Sequence, residues 1–309
     1  LIWDHAQNLG AVGATGTTAA NRIAAKADVI IGIGTRYSDF TTASRTAFQN
    51  PNVRFININI ASFDAFKHGS SLPVVADARE AILELIEALD GYQVADEYRE
   101  EYGNQKKLWD TTVDKAFEDQ KFELPGQPEI IGAVNEASDE FDTVICAAGS
   151  LPGDLHKLWR VKSELGYHVE YAFSCMGYEI AGGIGVARAD KTRDAIVMVG
   201  DGSYLMMNSE IVSAVAEGIK FIIVLIQNHG YASIGHLSED VGSQRYGTLY
   251  RTHDKEGNNF EQGEILPIDL ATNAESYGMN VIRVEPSENA IADLSAAVKA
   301  AKASNVATL

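Results

Sequence analysis

The sequence predicts an α/β protein with two doubly wound parallel-sheet domains. Apolar or β-branched runs of strand length alternate with stretches whose apolar residues recur at helical spacing, which is typical of a parallel sheet with crossover helices. One highly charged stretch, 93–127, interrupts this alternation and separates two such regions. With 309 residues and 46% hydrophobic content, the chain is long enough for about two domains with apolar cores.

The first region, residues 1–92, alternates strands with helices. A continuous apolar run (DVIIGIG) and a β-branched run of period two (VRFININI) predict two buried strands, and Asp77 is a suitable N-cap for the last helix. The predicted elements are a helix over 17–27, a strand over 28–34, a helix over 41–48, a strand over 53–60 and a helix over 78–89.

Acidic and basic residues crowd together in the middle of the chain, over 93–127. Tyrosine, leucine and tryptophan residues are interleaved with the charges, which predicts an exposed helical connector. The stretch ends at Leu-Pro-Gly-Gln-Pro (124–128), and such a cluster of proline and glycine marks a boundary.

The second region, 128–309, repeats the α/β pattern and is expected to be nearly a whole domain. Gly182, Gly183 and Gly185 are attributed to close contact between their helix and the sheet. The predicted elements are helices over 128–137, 177–189, 209–217, 270–276 and 291–303, and strands over 142–148, 195–199, 221–226 and 280–284.

Composition argues against several classes of function. The net charge of −18 repels phosphate backbones, so nucleic acid is not an expected partner. Cys146 and Cys175 are the two cysteines, too few for a disulfide scaffold or a cysteine-only zinc site, and they fit a reducing cytoplasm. The apolar runs are too short to cross a bilayer, and residues 1–20 lack signal-peptide character, so we expect no membrane partner.

Polar residues follow two of the predicted strands at the points where those strands end. Asp201 follows one strand and Asn228 follows the next, after a single crossover helix. Because parallel strands end at one edge of a sheet, both residues are expected where ligands bind in such folds. The Asp201 carboxylate, the Asn228 amide oxygen and the Gly230 carbonyl are hard oxygen donors that suit Mg²⁺ or Ca²⁺. The amides of Gly202 and Ser203 would lie beside the metal and bind a diphosphate.

An Asp-Gly pair after a strand is also an ordinary turn, and a lone Gly-Asp-Gly is a weak signal. The metal-site interpretation is favoured by the combination of two strand ends, one intervening helix, and an Asn 27 positions after Asp201. Gly230 then follows Asn228 by two positions.

Gly200-Asp201-Gly202 and Gln227-Asn228 together resemble the cofactor motif of thiamine-diphosphate-dependent enzymes related to acetolactate synthase. In that family the motif consists of Gly-Asp-Gly, a spacer of about thirty residues or slightly fewer, and then Asn-Asn or a variant of it. Here Gln227 replaces the first Asn, while the implied ligand Asn228 is intact. The resemblance implies thiamine diphosphate and Mg²⁺ as cofactors, with Asp201, Asn228 and Gly230 as metal ligands.

The segment 174–178 (SCMGY) is similar to the family segment that precedes a glycine-rich helix. The resemblance implies that Met176 supports the bent conformation of the cofactor and that the Ser174 carbonyl accepts from its 4′-amino group. For Met176, core packing is the alternative, because methionine commonly fills irregular apolar gaps. The cofactor-binding residues implied are Gly149, Ser150, Leu151, Ser174, Cys175, Met176, Asp201, Gly202, Ser203, Asn228, Gly230 and Tyr231.

Longer segments resemble a hydrolytic branch of this family that acts in myo-inositol catabolism; they are 34–42, 147–155, 200–210 and 217–220. The resemblance implies hydrolytic C–C cleavage that opens a cyclic 1,2-diketone to 5-deoxy-glucuronate. A carboligase or 2-oxo acid decarboxylase of the acetolactate synthase type is one alternative, and it would share every cofactor residue. A non-catalytic binding module is another, and it would show no magnesium-dependent affinity for thiamine diphosphate.

In this family a glutamate activates the cofactor, and no segment of this sequence resembles the domain that carries it. It lies in an N-terminal domain and acts across a dimer interface, whereas residues 1–92 resemble the latter part of the central domain. We therefore expect a C-terminal piece of a homodimeric or homotetrameric enzyme, catalytically silent by itself.

A glycine-containing loop and two histidines are further candidates for functional roles. The loop 32–36, which touches FAD in some relatives, lacks the third glycine of a dinucleotide fingerprint and is expected to be structural. His229 and His236 are candidates for proton transfer, since histidine titrates near neutrality. For each of them a surface or hydrogen-bonding role is the simpler interpretation.

Overall fold

A computed structural model describes residues 1–118, 124–170, 173–258 and 262–309. It divides into two compact units. The N-terminal unit is Trp3–Lys115, and the C-terminal unit is Ala116–Leu309 together with Leu1–Ile2. Each unit contains one parallel sheet with helices between its strands, which confirms the predicted fold class.

The N-terminal unit is a three-stranded parallel sheet in the order β1-β2-β3. Its strands are β1 (Val29–Ile33), β2 (Arg54–Asn59) and β3 (Leu72–Val75), and its helices are α1 (Thr18–Lys26), α2 (Asp39–Thr42), α3 (Ser62–Ala65), α4 (Ala78–Ala88) and the first part of α5 (Asp96–Glu118). The predicted cap is present: Asp77 accepts hydrogen bonds from the N–H groups of Arg79 (2.8 Å) and Glu80 (3.3 Å).

Two elements of this unit differ from the prediction. The helix expected over 41–48 stops at Thr42, because Ala43, Ser44 and Arg45 all have positive φ and cannot continue a right-handed helix. Strand β3 was missed; it is four residues long, contains Pro73 and pairs with β2 at the edge of the sheet.

Helix α5 occupies most of the stretch expected to be a connector. Within the N-terminal unit it forms an ion pair between Glu101 and Lys26 (2.6 Å), and Lys106 donates to the Trp3 carbonyl (3.0 Å). The predicted connector also includes 119–123, which lie outside the described residues.

The C-terminal unit is a four-stranded parallel sheet in the order β5-β4-β6-β7. Its strands are β4 (Asp142–Cys146), β5 (Tyr167–Val169), β6 (Asp194–Gly200) and β7 (Ile222–Ile226). Its helices are α6 (Gln127–Ala137), α7 (Ser150–Leu158), α8 (Tyr178–Ala189), α9 (Asp201–Met207), α10 (Glu210–Ala216), α11 (Ala232–Asp240), α12 (Leu270–Ser276) and α13 (Ala290–Ala303).

The core of this unit lies between the sheet and its helices. Ile145, Val197 and Ile223 from three strands are buried against Ile180 and Ile184 of α8. The strand predicted over 280–284 is reduced to an isolated bridge at its first residue. Over the described parts of the chain, no helix combines the length and apolar character needed to span a bilayer.

Candidate cofactor site

The predicted site lies at the carboxyl ends of the strands of the C-terminal unit. Gly200 at the end of β6 pairs with Ile226 at the end of β7, so the chain leaves both strands at the same level. Asp201 starts α9 at this point, and Asn228 lies two residues beyond β7. The two motif halves therefore come together at the sheet edge where parallel folds bind ligands.

The Asp201 carboxylate holds the turn that follows β7. Its Oδ2 accepts the backbone N–H groups of Asn228 (3.2 Å), His229 (2.6 Å) and Gly230 (3.3 Å). Its Oδ1 accepts the N–H of Gly202 (2.8 Å). Asp201 is only 1% exposed, so these four bonds fix the carboxylate against the segment that carries the other two predicted ligands.

The electrostatics at Asp201 fit a bound cation. Burial raises the pKa of its carboxyl group, although the four backbone N–H groups favour the charged form. These donors are neutral, so a divalent cation would supply positive charge beside a buried carboxylate. The donor set of one carboxylate, one amide oxygen and one carbonyl is of the type that Mg²⁺ takes along with water and phosphate. In the described residues, no group of three or more His, Cys, Asp or Glu side chains offers a different metal site.

Met176, Gly202 and Tyr231 converge beside Asp201. A Cβ atom added to Gly202 would lie 2.7 Å from the Tyr231 ring and 3.4 Å from the Met176 Cε. Only glycine leaves this space open, and Met176 is half-buried, next to the start of α9. The amide of Gly202, expected beside a diphosphate, donates to Asp201.

The loop after β4 reaches the same edge. Gly149 has φ +101° and precedes α7, a backbone conformation that favours glycine. Ser150 is exposed, whereas the Leu151 side chain is buried in the core. A ligand at this loop would therefore meet the backbone of Leu151 and not its side chain.

The segment before α8 is held in an unusual backbone conformation. Ser174 has φ +53°, in the left-handed region that favours glycine. Glu170 accepts the N–H groups of Phe173 (3.0 Å) and Cys175 (2.9 Å), which supports this loop from the end of β5. Ser174 and Cys175 are exposed, so they are accessible at the site.

Glu179 is a buried carboxylate of this region that the sequence analysis missed. It is 1% exposed, and its carboxylate accepts the N–H groups of Gly177 (2.8 Å) and Ala148 (3.3 Å). Burial raises the pKa of the Glu179 carboxyl group. The available signal was a charged residue in the first turn of a helix whose next residues are apolar or glycine.

The two candidate histidines have different positions. The His229 N–H is bound to Asp201, the residue has φ +61°, and its Nδ1 lies 3.3 Å from the Gln227 side chain. His236 is exposed on α11. The geometry therefore assigns His229 a backbone role in the turn after β7.

The glycine loop of the N-terminal unit has a packing role. A Cβ atom on Gly32 would lie 2.0 Å from the hydroxyl oxygen of Tyr37. That buried hydroxyl donates to Asn57 on β2 (2.8 Å). The glycine is required by a side chain of the same chain, as the structural interpretation of this loop predicts.

Two family models match the sequence. Residues 147–309 match the family model described as thiamine pyrophosphate enzyme, C-terminal TPP binding domain. Residues 1–85 match the one described as thiamine pyrophosphate enzyme, central domain. The chain belongs to the thiamine pyrophosphate enzymes. Asp201 and the residues that contact it lie within the part of the chain that matches the TPP-binding domain.

Several curated relatives are similar over almost the whole chain. The 3D-(3,5/4)-trihydroxycyclohexane-1,2-dione hydrolase 2 of a Bacillus cereus strain is 39% identical over 329 residues, covering 99% of this chain and 50% of the relative. The 3D-(3,5/4)-trihydroxycyclohexane-1,2-dione hydrolases of Bacillus thuringiensis (strain Al Hakam) and Bacillus anthracis have the same identity and coverage. The chain thus spans about half the length of the curated relatives it matches.

Proposed function

We propose that this chain carries the metal- and diphosphate-binding part of a thiamine-diphosphate-dependent hydrolase. The proposed reaction is C–C bond hydrolysis that opens trihydroxycyclohexane-1,2-dione to 5-deoxy-glucuronate, a step of myo-inositol catabolism. The identity of 39% to relatives named for this substrate supports the reaction. The bonds from Asp201 to the turn after β7, inside the TPP-binding domain, are the observation that carries the cofactor site.

In this proposal Asp201, Asn228 and Gly230 bind Mg²⁺, which in turn holds the diphosphate in an acidic protein. Bound thiamine diphosphate supplies the carbon nucleophile and electron sink that C–C cleavage requires. Met176 and Tyr231 form an apolar wall beside Gly202, which orients a bound ring and excludes water.

Magnesium-dependent binding of thiamine diphosphate by calorimetry tests the cofactor site. We expect the 309-residue chain to bind, and Asp201→Asn to weaken binding by at least about 100-fold, because it removes a charged metal ligand. Asp194→Asn is the matched control: it lies at the other end of β6, in an ion pair with Lys220 (2.7 Å), and should leave the affinity unchanged. An unchanged affinity in Asp201→Asn would overturn the proposed site.

A chimera tests the substrate. The matching half of the Bacillus cereus relative is replaced by this chain, and consumption of trihydroxycyclohexane-1,2-dione and of pyruvate is measured in parallel. The proposal predicts turnover of the diketone. Turnover of pyruvate alone would favour a carboligase or decarboxylase of the acetolactate synthase type.

We propose the same organisation for the whole enzyme that the sequence suggests. In this proposal, residues 1–92 form part of the central domain, 93–127 form a helical connector and 128–309 form the diphosphate-binding domain. The enzyme is proposed to be a cytoplasmic homodimer or homotetramer that takes a small-molecule substrate and needs a glutamate from outside this chain for activity. Mass photometry of the intact protein tests the oligomeric state.

A further inference from the structure

We propose that Glu179 is a positioning residue for the cofactor site, because its one carboxylate joins two segments that carry predicted cofactor-binding residues. This inference rests on the proposed function. Glu179 lies in the first turn of α8 and does not belong to the predicted ligand set.

Each bond of Glu179 reaches a different segment. Through Ala148 it holds the loop that continues into Gly149 and α7. Through Gly177 it holds the segment that contains Met176. Each of these N–H groups belongs to the immediate neighbour of a predicted cofactor-binding residue, Gly149 or Met176.

The burial of Glu179 argues for a purpose beyond local stability. Its hydrogen-bond partners among the described residues are the neutral N–H groups of Ala148 and Gly177. A buried carboxylate without a cationic partner is costly to keep in a folded protein. The positive end of the α8 dipole offsets part of this cost. A neutral amide would cap the helix at lower cost but has one acceptor oxygen, whereas the carboxylate binds Ala148 through Oε1 and Gly177 through Oε2.

The simpler alternative is that Glu179 only caps α8. A cap satisfies the N–H groups of the first helical turn and of the residue before it, such as Gly177. It does not require the bond to Ala148, which lies 31 positions away in the sequence. The two interpretations therefore predict different consequences when the carboxylate is changed to an amide of the same shape.

Calorimetry with Mg²⁺ and thiamine diphosphate on the 309-residue chain compares Glu179→Gln with Asp142→Asn. Asp142 is a matched control, because it is also a buried carboxylate but lies at the opposite end of β4, paired with Lys302 (2.6 Å). We expect Glu179→Gln to raise the Kd about 10- to 100-fold, and Asp142→Asn to leave it unchanged. An unchanged Kd in Glu179→Gln would overturn the inference.

Hydrogen exchange on the unliganded chain gives a readout that does not depend on cofactor binding. In Glu179→Gln we expect faster exchange at Ala148 as well as at Gly177. Acceleration confined to Gly177 and the first turn of α8 would establish a simple cap and overturn the inference. If the unsubstituted chain bound no thiamine diphosphate, the proposed function would fail, while the exchange pattern would still decide the role of Glu179.

Discussion

Gly183 and Gly185 stand two positions apart in α8, and the structure gives them opposite surroundings. A Cβ atom on Gly183 would lie 2.2 Å from Cγ2 of Val197 in β6, whereas a Cβ on Gly185 would have nothing within 4 Å. The same change to alanine should therefore have effects of opposite sign at the two positions.

The magnitudes follow from helix propensity and packing. Alanine gains about 1 kcal/mol over glycine inside a helix, and at the exposed Gly185 this gain should appear in full. At Gly183 the same gain is opposed by overlap with Val197, which is fully buried and stiff at χ1. Overpacking of a core costs about 1–3 kcal/mol. Because the propensity gain is common to both positions, the free energies of unfolding of the two variants should differ by the overpacking cost, about 1–3 kcal/mol.

Urea denaturation followed by far-UV circular dichroism measures the free energy of unfolding of both variants. Native-state hydrogen exchange then shows whether the change in stability lies in α8. Val197→Ala removes the atom that a new Cβ would meet, so it should be less destabilising in the Gly183→Ala background than alone. The reasoning is refuted if both glycine variants shift stability in the same direction, or if Val197→Ala has the same effect in both backgrounds.

Three further predictions concern the C-terminal unit. Ser174→Gly should stabilise the chain by up to about 1 kcal/mol, because φ +53° is strained for serine, and should leave the Kd for thiamine diphosphate unchanged; urea denaturation and calorimetry measure the two quantities. Burial raises the pKa of the Cys146 thiol to about 12, while Cys175 is exposed, so iodoacetamide at about pH 8 should label Cys175 alone until the chain unfolds, as read by mass spectrometry. Burial lowers the pKa of His156, so the unfolded chain binds the proton more readily and stability should fall as the pH drops below about 6.5. His156→Phe should reduce this loss, and an unchanged difference between the urea midpoints at about pH 7.5 and 5.5 would contradict it.

In the C-terminal unit, the sequence correctly predicted strands β4, β6 and β7, which are rich in apolar residues and mostly buried. Strands β4 and β6 lie in the middle of the sheet, and β7 pairs with β6 at one edge. Strand β5 was missed because it has three residues, all half-buried, and pairs only at the edge next to β4. Short edge strands carry too few residues for a periodic signal.

Turns and short helices were harder to predict, since they depend on backbone conformation. The helix expected over 41–48 fails at three consecutive residues with positive φ, and no residue type there requires that conformation. Helix α9 starts at Asp201 directly after β6, where the sequence suggested only a strand end. In both places the tertiary packing selects one backbone conformation among several that the local sequence permits.

The sequence alone determined the fold class and the position of Asp201 and Asn228 at strand ends, because apolar runs and their spacing predict parallel strands and their carboxyl ends. The family followed from the resemblance of Gly200-Asp201-Gly202 and Gln227-Asn228 to its cofactor motif, and the metal ligands that this resemblance implies remain a proposal. Only the tertiary structure decided how the Asp201 carboxylate binds three consecutive N–H groups after β7, and how Glu179 joins two segments. These contacts link residues up to 31 positions apart through side-chain geometry, which no local pattern encodes.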